Sequence, residues 1–103
     1  MQDAEFQEKV DELFFSLEDL IDGLDQDLDI DTTGGLLSIE LADGSAVIVS
    51  RQVGNHEVWV AAKSGGFHLA LADDQWLCST TGETLEQLLG RVLSEQLGFS
   101  VSL

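Results

Sequence analysis

The stretch Leu36-Leu-Ser-Ile-Glu-Leu41-Ala-Asp43-Gly44-Ser-Ala46-Val-Ile-Val-Ser50 decides the architecture. Leu36 to Leu41 alternates apolar and polar residues, Ala46 to Ser50 is a β-branched run, and Asp43-Gly44 between them is a strong hairpin signal, since both residues tolerate the positive φ of a tight turn. Toward the C-terminus, Glu57–Ala62, Gly66–Leu71 and Gln75–Cys78 read as further strands, separated by the turn-forming Ser64-Gly65-Gly66 and Ala72-Asp73-Asp74. Toward the N-terminus, Asp25, Asp27, Asp29 and Asp31 alternate with Gln26, Leu28 and Ile30. This period of two predicts an extended segment with its carboxylates on one side.

Helical periods flank the strands. Over residues 3–24, Phe6, Val10, Leu13, Phe14, Leu17, Leu20, Ile21 and Leu24 recur with the spacing of an amphipathic helix, which should end near Gly23. At ~100° per residue, Glu8, Asp11, Glu12, Glu18, Asp19 and Asp22 occupy an opposite arc about 120° wide. Phe15 is the exception and projects among the acids. Thr80-Thr81-Gly82-Glu83 fits a capping box opening a second helix, with Leu85, Leu88, Leu89, Val92, Leu93 and Leu97 as its stripe. Gly90 weakens that helix by about 1 kcal/mol relative to Ala, and Gly98 suits its C-cap. Consecutive strands with short turns imply an α+β two-layer α-β sandwich over residues 1–103, a single domain. The N- and C-terminal helices pack on one face of a mostly antiparallel sheet of about six strands.

Charge narrows the function. Twenty acidic residues against four basic ones give a net charge of −16 over 103 residues. Such a surface repels nucleic acid and anionic membranes and attracts cations and basic proteins. Cys78 is the only cysteine, so no intrachain disulfide or thiolate cluster can form. Charges run through the first 24 residues and no apolar run approaches the roughly 20 residues of a membrane helix, so the expected location is cytoplasmic. No proline and ten glycines suggest a cold-adapted, thermally soft protein.

The acids of the first helix, with the Asp25–Asp31 ladder, form the leading candidate site. Several carboxylates on one rigid face are hard oxygen ligands for Fe, Mn, Ca or Mg, and exposure to water implies weak binding. The plain alternative is a solvated helix face. Against it, Glu18 and Asp22 are like charges at i,i+4, which costs a helix a few tenths of a kcal/mol, with only Lys9 interleaved. Asp29-Ile-Asp31-Thr-Thr33-Gly34 followed by Glu40 nearly matches a calcium EF-hand loop. Thr33 stands where that loop needs a carboxylate or amide, and no helix follows. In Glu57-Val-Trp59-Val-Ala61, the valines should face the helices and Trp59 the solvent, as a partner anchor, with His68 also outward. His56 and His68 lack metal-ligand spacing, Cys78 reads as a strand residue, and no catalytic triad or phosphate loop is apparent.

In sequence order these segments resemble the bacterial frataxin (CyaY) family, across nearly the whole chain. The resemblance rests on Glu5-Phe6, Leu17-Glu18-Asp19 with Asp22, Asp27-Leu-Asp29-Ile-Asp31, Gly34-Gly35-Leu36-Leu37, and above all Val58-Trp59-Val60-Ala61 with Lys63-Ser-Gly-Gly66-Phe67-His68. Trp76-Leu77-Cys78 and Ser79-Thr-Thr-Gly82-Glu83-Thr84-Leu85 extend it. It implies an α-β sandwich that binds Fe2+ or Fe3+ weakly, with other divalent cations admissible, and that regulates iron–sulfur cluster assembly. The implied partners are the cysteine desulfurase and the iron–sulfur scaffold protein, and the implied state is a monomer able to form iron-driven oligomers. The family's primary acidic patch maps onto Glu18, Asp19 and Asp22; Asp3, Asp25, Asp29 and Asp31 match further acidic positions, and Trp59 matches its exposed tryptophan. Docking is expected through Glu18, Asp19, Asp22 and Trp59. Gln7 stands where some relatives carry histidine, Phe14 and Leu24 replace tryptophans, Val53-Gly54 replaces a proline-bearing loop, and Glu57 replaces a frequent Gln or Asn.

The reading that results is a non-enzymatic regulator whose helix and first-strand carboxylates share one surface for iron and for a basic partner. Its rivals are a ferroxidase-like iron oxidant and store, lacking the Glu-x-x-His pair of di-iron bundles, and an acidic decoy binding basic proteins at large.

Overall fold

The period-two segments become a six-stranded meander. The structure is a computed structural model and describes residues 1–103. Strands β1 (Leu28–Thr33), β2 (Leu36–Leu41), β3 (Ala46–Gln52), β4 (Glu57–Ala62), β5 (Gly65–Ala72) and β6 (Gln75–Cys78) lie side by side in chain order. Every neighbouring pair is antiparallel. A 3-10 turn at Val53–Asn55 joins β3 to β4. Helices α1 (Asp3–Asp22) and α2 (Leu85–Leu97) flank the meander in sequence and cover one of its faces. No helix is long and apolar enough to cross a membrane.

Alternation sorts the strand residues as the pattern requires. Leu37, Ile39, Val47, Val49, Val58, Val60 and Leu69 are buried under the helices, where they meet Phe6, Val10, Leu17 of α1 and Leu85, Leu88, Leu89, Leu93 of α2. Each such side chain contributes about 1.5–3 kcal/mol by leaving water. No polar or charged residue is buried, so the core makes no electrostatic demand on the surface.

Turn chemistry sets the register. Around Asp43-Gly44, Leu41 N donates to Ser45 O (2.8 Å), Gly44 takes φ +87°, and Asp43 Oδ1 accepts from both Ser45 N (2.9 Å) and Ser45 Oγ (2.6 Å). Those bonds hold the Asp43 carboxyl below its ordinary pKa. Between β5 and β6, Asp73 and Asp74 both adopt positive φ (51° and 63°), the left-handed pair a tight hairpin needs.

Three local expectations are corrected. The first helix stops at Asp22 rather than running to residue 24. Gly23 caps it by donating to Asp19 O (3.1 Å), and Leu24 packs half-buried beyond the end. The extended segment starts at Leu28, so Asp25 (φ +37°) and Asp27 lie in the connecting loop instead of in the strand. The capping box of α2 is Thr84 with Gln87, not Thr80 with Glu83. Thr84 Oγ1 accepts from Gln87 N (3.2 Å) and Gln87 Oε1 from Thr84 N (3.0 Å). Gly82 at φ +74° closes a turn back onto Cys78, so a helix cannot run through it. The cap at Gly98 is left-handed as expected. Strand β2 follows directly where an EF-hand needs its exiting helix, which removes that reading.

Candidate functional site

The outward face of α1 is dominated by carboxylates, with Phe15 exposed among them, and the fold ties several of the acids down. Thr32 lies on the helix-facing side of edge strand β1, and its Oγ1 donates to Glu18 Oε1 at 2.7 Å. Arg51 of β3 reaches up to α1, donating from one terminal nitrogen to Gln7 and from the other to Asp11 Oδ1 at 3.1 Å. Its guanidinium lies 5.9 Å over the Phe14 ring. Lys9 Nζ stands 3.9 Å from Glu12 and 4.0 Å from Asp74. Asp19 and Asp22 make no such contact and are exposed.

Glu18, Asp22, Ile30, Asp31 and Thr32 line a shallow cleft at the seam between α1 and β1. The predicted acidic ligands therefore divide. Glu18, Asp19 and Asp22 share the helix face; Glu18 and Asp22 reach the seam, and Asp31 borders it from the strand. Asp29 and Asp31 alternate with the core-packed Leu28 and Ile30, so their side chains belong to the outer sheet face. There Asp29 stands opposite Glu40, and Asp31 accepts from Thr33 Oγ1 (3.1 Å). Asp29 is thus separated from the helix carboxylates by the edge strand while Asp31 still borders their cleft, so the single shared surface narrows to Glu18, Asp22 and Asp31 with Asp19 beside them. Asp25 lies in the α1–β1 loop. Asp3 is set apart: at 1.5 Å rise per residue it lies about 22 Å along α1 from Glu18. Its carboxylate pairs with His56 Nε2 at 2.7 Å, and the same imidazole stacks on Phe6. No three His, Cys, Asp or Glu side chains are arranged to enclose a metal ion. The carboxylate oxygens of this face are open to water and are not gathered into a cage.

On the open sheet face Trp59 points outward as its alternation predicts, yet it is half-buried. His68, directly opposite on β5, stacks on the indole at 4.4 Å with 9° between the planes. Trp59 Nε1 donates to Glu57 Oε1 at 3.0 Å. Glu57 and Trp59, two apart on one strand, and the outward His68 are each on the face the sequence assigns; that they form one cluster depends on the β4–β5 register. Cys78 is buried in β6 with Sγ 3.4 Å from Thr80 Oγ1. Burial pushes its thiol up, while hydrogen bonds with Thr80 and Thr81 outweigh that and bring it down to about 7.

Thr32, Arg51 and His56 are the participants sequence reading missed. All three bind an α1 residue more than ten positions away in the chain, and no local pattern announces such a contact. Gln7, where a histidine would add a nitrogen ligand, is instead occupied in holding Arg51.

An acidic helix over one face of an antiparallel meander, with a tryptophan fixed on the other face, defines a class of small α-β sandwiches that offer carboxylates outside and no enclosed pocket chemistry. The chain belongs to the frataxin family: the Frataxin-like domain pattern matches residues 1–99. The frataxin of Psychromonas ingrahamii, studied as a model of stability modulation within the CyaY family, is 28% identical. That match covers 99% of this chain and 97% of that one, with a TM-score of 0.92. Yeast frataxin (21% identity, 92% and 82% coverage, TM-score 0.67) has the same fold. So does the trimeric Saccharomyces cerevisiae frataxin solved with ferrous iron (23%, 91% and 82%, TM-score 0.64).

Proposed function

We propose that this protein is a non-enzymatic, cytoplasmic regulator of iron–sulfur cluster assembly that takes Fe2+ or Fe3+ as weakly held cargo and docks on the cysteine desulfurase with its scaffold protein. The observation that carries the reading is the Glu18–Asp19–Asp22 face beside the α1–β1 seam, in a chain of the frataxin family. Hard carboxylate oxygens suit iron in either oxidation state, and their openness to water favours exchange over storage. The yeast trimer with ferrous iron supports both iron as the metal and iron-linked oligomers.

Glu18, Asp19 and Asp22 would be the first ligands, with Asp31 reaching the seam from the strand, and Asp25 and Asp29 as outlying sites. Asp3, engaged by His56, has the least to offer. The same helix face presents a strong negative field to a basic partner, and Trp59 supplies an aromatic contact on the opposite side of the sheet. Iron bound between the carboxylates neutralises part of that field, so metal and partner are linked through one patch.

Binding to the organism's own desulfurase, compared between the wild type and a Glu18→Lys/Asp19→Lys/Asp22→Lys variant shown by circular dichroism to be folded, tests the reading. Loss of binding at physiological salt is expected in the variant. Equal binding would remove the α1 face from the interface. Iron titrations that leave partner affinity and desulfurase turnover unchanged would sink the linkage.

A further inference from the structure

Phe15 is 74% exposed, the most exposed large apolar side chain of the protein. On a helix its surface neighbours are the residues three and four positions away, and here those are Asp11, Glu12, Glu18 and Asp19, all carboxylates. Arg51 and Thr32 anchor Asp11 and Glu18, so the ring around Phe15 is partly preorganised. An aromatic face bordered by fixed carboxylates has a specific complement. Guanidinium is planar and weakly hydrated, and it stacks on rings while its N–H groups donate sideways.

The molecule uses that combination twice on its own account. Arg51 lies 5.9 Å over Phe14 and pairs with Asp11; Arg91 lies 5.4 Å over Phe67 and pairs with Glu83. These are the only arginines in the chain, so none is left for Phe15. A second copy of this protein is a poor occupant because two faces drawn from molecules of charge −16 repel, and an anionic membrane is repelled likewise.

We propose that Phe15 and its carboxylate ring form an arginine receptor, seating a guanidinium from a basic partner protein at the centre of the α1 face. The inference rests on the reading that this face docks on a basic protein, and it adds the anchor and the side chain recognised. The ring supplies the stack, and Asp19 and Glu18 take the N–H donors. A lysine ammonium at the same place finds charge but no planar match.

Titration of the whole protein with an oligoarginine and an oligolysine peptide of equal length tests this. Wild type should prefer oligoarginine by about 2- to 5-fold, the range of an exposed cation–π contact. Phe15→Ala and Phe15→Leu, both expected to melt within a few degrees of wild type because the side chain is exposed, should bind the two peptides equally. An absent preference in wild type, or one that survives in Phe15→Ala, would overturn the receptor. Preference retained in Phe15→Leu would overturn the stacking and leave only apolar contact. Because the probes are peptides, failure of the desulfurase to bind would count against the partner assignment without touching this result.

Discussion

Arg91 and Glu83 show how a surface residue acquires a defined job. Two guanidinium nitrogens reach the two carboxylate oxygens at 3.0 and 2.9 Å, a bidentate pair that lowers the Glu83 carboxyl from its ordinary pKa and raises Arg91. A carboxyl whose pKa is depressed on folding stabilises the protein above its ordinary value of about 4.5, and that contribution disappears as pH falls through the lowered native value. Glu83→Gln should therefore be less stable than wild type in urea unfolding at pH 7, with the difference closing as the pH drops below about 4.5. A gap that persists unchanged in acid would assign the effect to packing instead. Of such pairings the sequence discloses little. Helical period put Glu18, Asp19 and Asp22 on the outer arc along with Glu8, Asp11 and Glu12, and alternation put Trp59 outward; singling out those three acids came from the family resemblance, not from the period. That Thr32 would hold Glu18, or that His56 would engage Asp3, depends on which side chains the tertiary fold brings within 3 Å, and neither period nor spacing encodes that.

At the scale of elements, α2 is informative because two of its features oppose each other. Its capping box satisfies amides at the first turn, so Thr84→Ala should cost about 1 kcal/mol, read as a lower urea midpoint at unchanged slope. Gly90 is less obvious. It is a helix-interior glycine, and the segment after the helix crosses it, held by Ser94 Oγ, which donates to Gly90 O (2.6 Å) and accepts from Val101 N (2.9 Å). A Cβ added at Gly90 would stand 3.6 Å from Val101 O, an ordinary contact. Gly90→Ala should therefore be tolerated and should raise stability by up to about 1 kcal/mol in the same assay. A loss would mean the crossing segment cannot yield even slightly. The strands were legible because alternation survives wherever one face is buried, and the helices because their stripes are long. Boundaries were not: Thr80 and Thr84 both head plausible boxes, and the backbone at Gly82 decides between them.

For the molecule as a whole, charge sets the conditions under which the fold persists. A net charge of −16 on 103 residues repels itself more strongly in the compact state than in the expanded chain. Added monovalent salt should raise the melting midpoint, by about 4–8 °C for each kcal/mol of repulsion screened. A midpoint that falls or stays level with salt would show that favourable ion pairs dominate instead. Even screened, a midpoint well above ~65 °C would contradict the soft, glycine-rich and proline-free composition. The two-layer architecture followed from element order alone. The separation of Asp29 from the helix carboxylates by the edge strand did not, because it depends on how α1 is placed over β1.

Each strand of this sheet finds its partner next along the chain. The search for native pairings is accordingly local, with short loops to close and no distant crossover to await, and such topologies cross their folding barrier quickly. With no proline, the chain also has no X–Pro bond to populate two isomers while unfolded. Stopped-flow refolding from urea should follow one exponential, without the tens-of-seconds tail of prolyl isomerisation. A slow residual phase would have to come from something other than the backbone. A protein that unfolds readily for want of rigid residues would, for the same reason, recover without delay.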